Sequence, residues 1–276
     1  MANTKADAIR ASISKAADQA DVNEEEFDLD WLGETQKPSQ MGDPKQIGLY
    51  ASPGSGKTWL AASICEVEGY YPVLIIDTEE STVGTVANFP DDRITIVQVD
   101  NAADFDKLIA NLINKEHPFK TVIVDTMGNA MDRKEWAIMS NPPKTQSGAD
   151  DTQKAWGLLY SWAKKVIDGL RSADFATILI FHEKEEKDSV GNNYSRVWIN
   201  GAAKKYIPSK PDLFGLLVAE TDDNTGKTER TIYFGADTSR ATKSRFESLG
   251  LPSKVKNPTM SKIINTIREA RKNQEA

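Results

Sequence analysis

The run Ala51-Ser52-Pro53-Gly54-Ser55-Gly56-Lys57-Thr58 carries the strongest chemical signal in the sequence. Small residues let backbone N–H groups wrap closely around a phosphate, and glycine adopts the conformations that such a turn needs. The lysine neutralises β- and γ-phosphate oxygens, and the hydroxyl after it coordinates Mg²⁺. Ser52, Pro53, Gly54, Ser55, Gly56, Lys57, Thr58 and Trp59 are therefore the expected contacts to ATP, with Thr58 also a metal ligand. Ala51 stands where the pattern usually has Gly, a small departure.

A magnesium-bound triphosphate needs a second anchor at the end of another strand. Thr121-Val122-Ile123-Val124-Asp125 supplies one in Asp125. Hydrolysis also needs a carboxylate that orients or deprotonates water. The residue after Asp125 is Thr126, so the carboxylate must come from elsewhere. Glu79, in Ile75-Ile76-Asp77-Thr78-Glu79-Glu80, is the leading candidate, with Asp77 and Glu80 as alternatives. A side chain there projects over the carboxyl edge of a parallel sheet, where ligands bind in open α/β folds. Ile178-Leu179-Ile180-Phe181-His182-Glu183 brings His182 to the end of another strand, within reach of a γ-phosphate or its water.

The elements that must hold these residues alternate. Gln46–Tyr50 reads as a strand, Lys57–Glu68 as a helix, and Pro72–Asp77 as a buried strand. Ile94–Val99, Thr121–Asp125 and Ala176–Phe181 read as further strands. Ala102–Lys115 reads as a helix, and so does Asp151–Arg171, with Leu158, Trp162, Val166 and Leu170 on one face. The expectation is an α/β fold of the P-loop NTPase kind, a mainly parallel sheet flanked by helices. Tyr194–Ile199, Leu213–Glu220 and Arg230–Phe234 add antiparallel strands at the C-terminal edge, the last two joined by the turn Asp222–Gly226. Ser140–Gln153 reads as a polar loop, and Pro258–Lys272 as an amphipathic helix. Three parts follow: an acidic, partly flexible segment 1–43 with Phe27, Trp31 and Leu32 as a docking knob, a core 44–250, and a basic C-terminal helix 251–276.

The composition is that of a soluble globular chain, with 39% hydrophobic and 27% charged residues among 276. No apolar run approaches the ~18 residues that a membrane span needs. One cysteine, Cys65, excludes an intrachain disulfide, and with only His117 and His182 beside it a Cys/His zinc cluster is excluded too. A cytoplasmic setting without a membrane partner is expected. The net charge of -7 argues against a nucleic-acid coat, although the C-terminal stretch is locally basic.

Together these residues resemble the RecA/RadA superfamily of core ATPases. Asp77-Thr78-Glu79 is similar to that family's catalytic-Glu strand end, Thr121–Asp125 to its Mg²⁺ strand, and Phe181-His182 to the sensor strand that leads into its DNA-facing loop. The similarity is greatest to the short phage-encoded branch, single-domain RecA-like ATPases of phage recombination modules. Lys243-Ser244-Arg245-Phe246 is similar to the Lys-Asn-Arg-Phe-Gly signature of RadA-type proteins, with Ser244 in place of Asn and Glu247 in place of Gly. The resemblance implies that Lys243 and Arg245 act as fingers reaching the γ-phosphate of a neighbouring subunit, in a ring or filament. It also implies a DNA-contacting loop within Glu183–Lys210. There Lys184, Lys187, Arg196, Lys204 and Lys205 interleave with Tyr194, Trp198 and Tyr206, although Glu183, Glu185, Glu186 and Asp188 dilute the positive charge.

The expected function is that of an ATP-hydrolysing, Mg²⁺-dependent protein that binds single-stranded DNA and promotes annealing or recombination as a homo-oligomer. It would be phage-encoded, with a single-strand-binding protein or helicase as a further partner. Two other classes compete. One is a P-loop ATPase acting on a protein partner in replication, such as a helicase loader, without intrinsic DNA binding; the acidic N-terminal segment favours it. The other is an interaction module that binds ATP and hydrolyses it poorly. A MinD/ParA-type switch would want Lys where Ser52 stands, and neither an ABC-type signature nor an Arg-rich kinase lid is present.

Overall fold

The computed structural model describes residues 42–187 and 191–275, with side chains as far as Asn273. The readings made for residues 1–41, and for Asp188, lie outside these residues.

The continuous apolar runs become strands buried along their whole length: β1 (Gln46–Ala51), β2 (Val73–Asp77) and β4 (Thr121–Asp125). Such runs suit parallel strands covered on both faces. With β3 (Ile94–Gln98), β5 (Ala176–Lys187), β6 (Asn193–Val197), β7 (Leu213–Thr221), β8 (Thr228–Tyr233), β9 (Lys243–Ser244) and β10 (Lys254–Lys256) they form one sheet. Its order is β10-β8-β7-β1-β5-β4-β2-β3. The strands from β7 to β3 run parallel, while β8 and β10 add antiparallel at the edge. The turn between β7 and β8 is held by Asp222 Oδ1, which accepts from the N–H groups of Asn224 and Thr225.

Strand alternation divides the core into two layers. Leu74, Ile76, Val122, Val124, Leu179 and Phe181 share one cluster with Phe105, Ile109 and Leu112 of α3 (Ala102–Asn114). Met127 and Met131 of α4 (Met127–Met139) belong to it, as do Val166, Ile167 and Leu170 of α5 (Thr152–Ser172) and Ile207 of α6 (Ala203–Ser209). Here α1 denotes Lys57–Ala62 and α2 Thr82–Val86. The intervening residues Ile75, Ile123, Ile178 and Ile180 are buried toward the opposite face. On α7 (Met260–Glu275), Met260, Ile263, Ile264 and Ile267 are buried, so the C-terminal helix packs against the core through its apolar stripe.

Several elements depart from expectation. The helix after the phosphate-binding loop stops at Ala62 and tightens into a 3-10 turn, Ser63–Glu66. Ser63 Oγ donates back to the Leu60 carbonyl at 2.7 Å and accepts from Met260 N–H at 2.9 Å, which fixes the chain there against continuing. On α5 the buried face is Ala155, Leu159, Ala163, Val166, Ile167 and Leu170, whereas Leu158 is 46% exposed. The expected stripe was therefore rotated by one residue in its first half. Finally, α2, α4 and α6 have no counterpart among the expected helices.

Candidate active site

Sheet register assembles the site. Asp77 lies opposite Asp125 across β2 and β4, and Ala51 lies opposite His182 across β1 and β5. The ends of these four strands therefore meet at the carboxyl edge of the sheet, beside the turn 52–56. Within that turn Gly54 and Gly56 take φ of 76° and 96°, a region that residues with a Cβ rarely adopt.

Lys57 opens α1 and is only 7% exposed. Its Nζ donates to the carbonyls of Ala51 at 3.2 Å and Ser52 at 3.0 Å, so the loop holds its own cation. Burial pushes the ammonium pKa down, and the carboxylates of Asp125 and Glu79 oppose that shift. Thr58 Oγ1 donates to Asp125 Oδ2 at 2.7 Å. Burial raises the Asp125 pKa to about 6, with the Thr58 hydrogen bond acting in the other direction. A hydroxyl and a carboxylate in contact beside a buried ammonium fit a hard cation carrying a triphosphate: Thr58 and Asp125 would hold Mg²⁺, and Lys57 the phosphate oxygens. The bound metal would draw charge off the terminal phosphate.

Three carboxylates competed for the water-orienting role, and the structure separates them. Asp77 is fully buried, with Oδ1 accepting from Glu79 N–H at 2.9 Å and Oδ2 from Thr82 N–H at 3.1 Å, so it caps the turn that follows β2. Glu80 is exposed, on a residue with φ of 58°. Glu79 turns into the site. Its Oε1 accepts from Thr126 Oγ1 at 3.0 Å and meets His182 Nε2 at 2.6 Å. Both contacts fall on one oxygen, and Oε2 makes no hydrogen bond among the described residues. The hydrogen bond from His182 keeps the Glu79 carboxyl below its usual range, against the effect of burial. Glu79 is thus an anion at neutral pH with one oxygen free to orient a water. His182 Nδ1 is buried and likewise has no partner among the described residues.

This pairing sets an expectation. His182→Ala removes the bond that lowers the Glu79 pKa and leaves the burial that raises it. The acid limb of the kcat–pH profile should move to higher pH, while His182→Gln, which retains an N–H donor, should move it less. An unchanged acid limb in His182→Ala would detach His182 from the base.

Thr126 is no substitute base, yet it positions Glu79 and caps α4 by accepting from Asn129 N–H at 3.2 Å. Two further residues near the loop were not singled out from sequence. Glu183 accepts from Ser52 Oγ at 2.6 Å and from Ser195 Oγ at 2.5 Å, joining the phosphate-binding loop to β6. Arg230 of β8 donates through Nε to the Ser55 carbonyl at 2.9 Å.

The late basic motif lies elsewhere. Lys243 and Ser244 pair with the first residues of β7, at the end of the sheet opposite the phosphate-binding loop. Lys243 Nζ donates to the carbonyls of Ser209 at 2.5 Å and Pro211 at 2.9 Å, and Arg245 pairs with Asp212 at 3.2 Å. Within one chain both residues brace the amino end of the sheet. Among the expected DNA contacts, Lys184 pairs with Glu186 at 3.2 Å and Arg196 forms a two-pronged bond to the same carboxylate. Lys187, Lys204 and Lys205 are exposed and make no ion pair among the described residues.

No curated protein matches the chain. One similar solved structure is described as a prototypical ATPase from the type III secretion system of pathogenic bacteria. It is 15% identical, the match covers 64% of this chain and 52% of that one, and the TM-score is 0.43. The chain thus spans about half the length of that protein. A family model, AAA_24, described as an AAA domain, matches residues 43–246, from just before β1 to just beyond β9. That span holds the phosphate-binding loop, Asp125, Glu79 and His182, and the chain belongs to this AAA domain family of P-loop ATPases.

Proposed function

We propose that the chain is a Mg²⁺-dependent, RecA-like ATPase whose nucleotide state is passed along β5 to a single-stranded DNA partner. One observation carries this reading. The Glu79–His182 contact ties the water-orienting carboxylate to a strand that continues unbroken into the β5–β6 hairpin. Lys57 holds the phosphates, Thr58 and Asp125 the metal, and Glu79 orients the attacking water. His182 registers the arrangement around the terminal phosphate, and the hairpin moves with it. Lys187, Lys204 and Lys205 neutralise DNA phosphates, and the exposed Trp198 offers a stacking face. In a ring or filament, Lys243 and Arg245 face a neighbouring copy, and their reach across that boundary makes hydrolysis depend on assembly.

The test measures anisotropy of labelled oligo-dT with Mg²⁺ and a non-hydrolysable ATP analogue. Particle size and ATPase rate are recorded with and without the oligonucleotide. Binding that weakens as salt rises, together with faster hydrolysis, is expected. An absence of binding at low salt overturns the DNA assignment. It would favour the second reading, an ATPase acting on a protein partner in replication. That alternative draws support from the hairpin itself, where Glu186 neutralises both Lys184 and Arg196.

A further inference from the structure

The phosphate-binding loop is held on both sides of its Ser55–Gly56 peptide by its own groups. Lys57 Nζ takes the carbonyls of Ala51 and Ser52, Ser55 Oγ donates to the Ser52 carbonyl at 2.8 Å, and the Gly56 carbonyl accepts from Leu60 N–H at 2.9 Å. The peptide between them is the exception. The Ser55 carbonyl is met from outside the loop, by Arg230 Nε at 2.9 Å, and by no other donor among the described residues. Resting on the ATP-binding reading above, we propose that Arg230 is a positioning residue of the phosphate site: by holding the Ser55 carbonyl outward, it keeps the Gly56 N–H turned toward the bound phosphates.

A peptide unit is planar, and in the trans form its C=O and N–H point in opposite directions. Fixing the Ser55 carbonyl on the Arg230 side therefore fixes the Gly56 N–H on the other. The loop sequence alone does not do this. Rotating the plane changes ψ of Ser55 and φ of Gly56, and glycine accepts either sign of φ at little cost. Gly56 sits at φ of 96°, a value it can leave without strain. Solvent also reaches this point from two sides. Cavities of about 610 and 600 Å³ flank the loop; Gly54 and Ser55 line the first, Gly56 lines the second, and Arg230 lines both. The guanidinium thus crosses the loop at the Ser55–Gly56 peptide, where water would otherwise compete for the carbonyl. Arg230 is itself held in place. Its carbonyl accepts from Asn257 N–H at 2.6 Å, and its own N–H donates to Asn257 Oδ1 at 3.4 Å. Its stem lies against Gly56, where an added Cβ would sit 3.0 Å from Nε and 3.6 Å from Cδ. It makes no ion pair among the described residues, so its bond to Ser55 is a charge-assisted one that no carboxylate shares. The antiparallel strands added at the sheet edge thereby acquire a role, since β8 carries Arg230 and the segment after β10 carries Asn257.

The test compares two probes by calorimetry on the full chain: inorganic tripolyphosphate with Mg²⁺, and a non-hydrolysable ATP analogue with Mg²⁺. Arg230→Met keeps an unbranched stem beside Gly56 and loses the donor. It should weaken both probes alike, by about ten- to a hundredfold, the range for a hydrogen bond to a charged group. That loss should persist in about 0.5 M salt, which screens attraction by a bare charge but does not release a peptide held in place. Without ligand the variant should melt close to the parent protein, which separates the effect from a general loss of structure. Arg230→Lys, whose ammonium can still donate to the carbonyl, should lose less than Arg230→Met on both probes, and it carries the test if the methionine variant does not fold. Undiminished tripolyphosphate affinity in Arg230→Met, weakening of the analogue alone, or a loss that vanishes at high salt overturns the positioning role while the ATP site stands. Binding of neither probe by the parent protein removes the ATP reading itself, and this role with it.

Discussion

Glu79→Gln should retain ATP binding and slow turnover by about 10²–10⁴-fold, the range for losing a positioned proton acceptor. The replacement matches the shape of the native side chain. Its amide oxygen can still take the bonds from His182 Nε2 and Thr126 Oγ1 that now fall on Glu79 Oε1. What changes is the other end of the group. Oε2, which makes no hydrogen bond among the described residues, becomes an NH₂ that donates where the water needs an acceptor. The phosphate contacts of Lys57 and the Thr58–Asp125 pair are left alone, so affinity for a non-hydrolysable analogue should stay within a few-fold. Steady-state hydrolysis and analogue titration on the same preparation separate the two quantities. Surviving turnover would mean that the water is oriented by another group. Asp77 could not be that group, because both its oxygens are committed to backbone N–H groups.

The parts of this site readable in the sequence are those encoded by short, local patterns. The loop needed only its own eight residues. Asp125 needed only an apolar strand ending in an acid, because a fully buried parallel strand is legible as an unbroken apolar run. Glu79 stood out by its position after such a strand, but only the structure removes Asp77 from the competition, since capping depends on backbone geometry beyond the strand. Contacts that depend on register were out of reach. Arg230 meets Ser55 across 175 positions in the chain, and nothing local to β8 indicates which way its side chain points. Lys243 and Arg245 sit at the amino end of the sheet because a two-residue strand pairs with the start of β7, a strand too short to leave a pattern. The helix α4 escaped for a related reason. Its buried residues, Met127, Gly128, Ala130 and Met131, all lie in its first five positions, so no apolar stripe recurs along it. The hairpin after His182 read as a run of cations with acids diluting them, whereas in the fold one acid, Glu186, takes up two of the cations.

The end of β5 connects the two sides of the site. His182 and Glu183 are consecutive on an extended strand, so their side chains point to opposite faces. His182 meets Glu79, the carboxylate proposed to orient the water, and Glu183 meets Ser52, which belongs to the phosphate-binding loop. A shift in either Glu79 or the loop therefore reaches the same two residues, directly before the hairpin. Glu183 also holds Ser195 on the returning strand, so the hairpin is fastened to the loop as well as continuous with β5.

Lys57→Ala should weaken binding of Mg²⁺ and a non-hydrolysable ATP analogue by about 30- to 4,000-fold, and hydrolysis should fall below detection. Removing one partner of a buried charge pair costs about 2–5 kcal/mol, which sets that range. The ammonium is almost fully buried, and its nearest bonds are to two carbonyls of the loop that it serves. Among the described residues no other cation lines the turn from within it, and Arg230 approaches only from the side, with Nε already donating to Ser55. Lys57→Arg should not rescue, because a planar guanidinium needs more width than the space an ammonium fills under the loop. The variant also leaves the carbonyls of Ala51 and Ser52 without this donor, so a small loss of stability is expected alongside the loss of affinity. Thermal unfolding distinguishes the two effects. With Mg²⁺ and the analogue, the parent protein should melt at a higher temperature than without them, by the linkage of binding to folding, while in Lys57→Ala the same ligand concentration should raise the melting temperature much less. Undiminished ATPase activity in the variant would place the triphosphate somewhere other than this loop. The roles given to Thr58, Asp125 and Glu79 would then fall together, since each was assigned by its position around the cation.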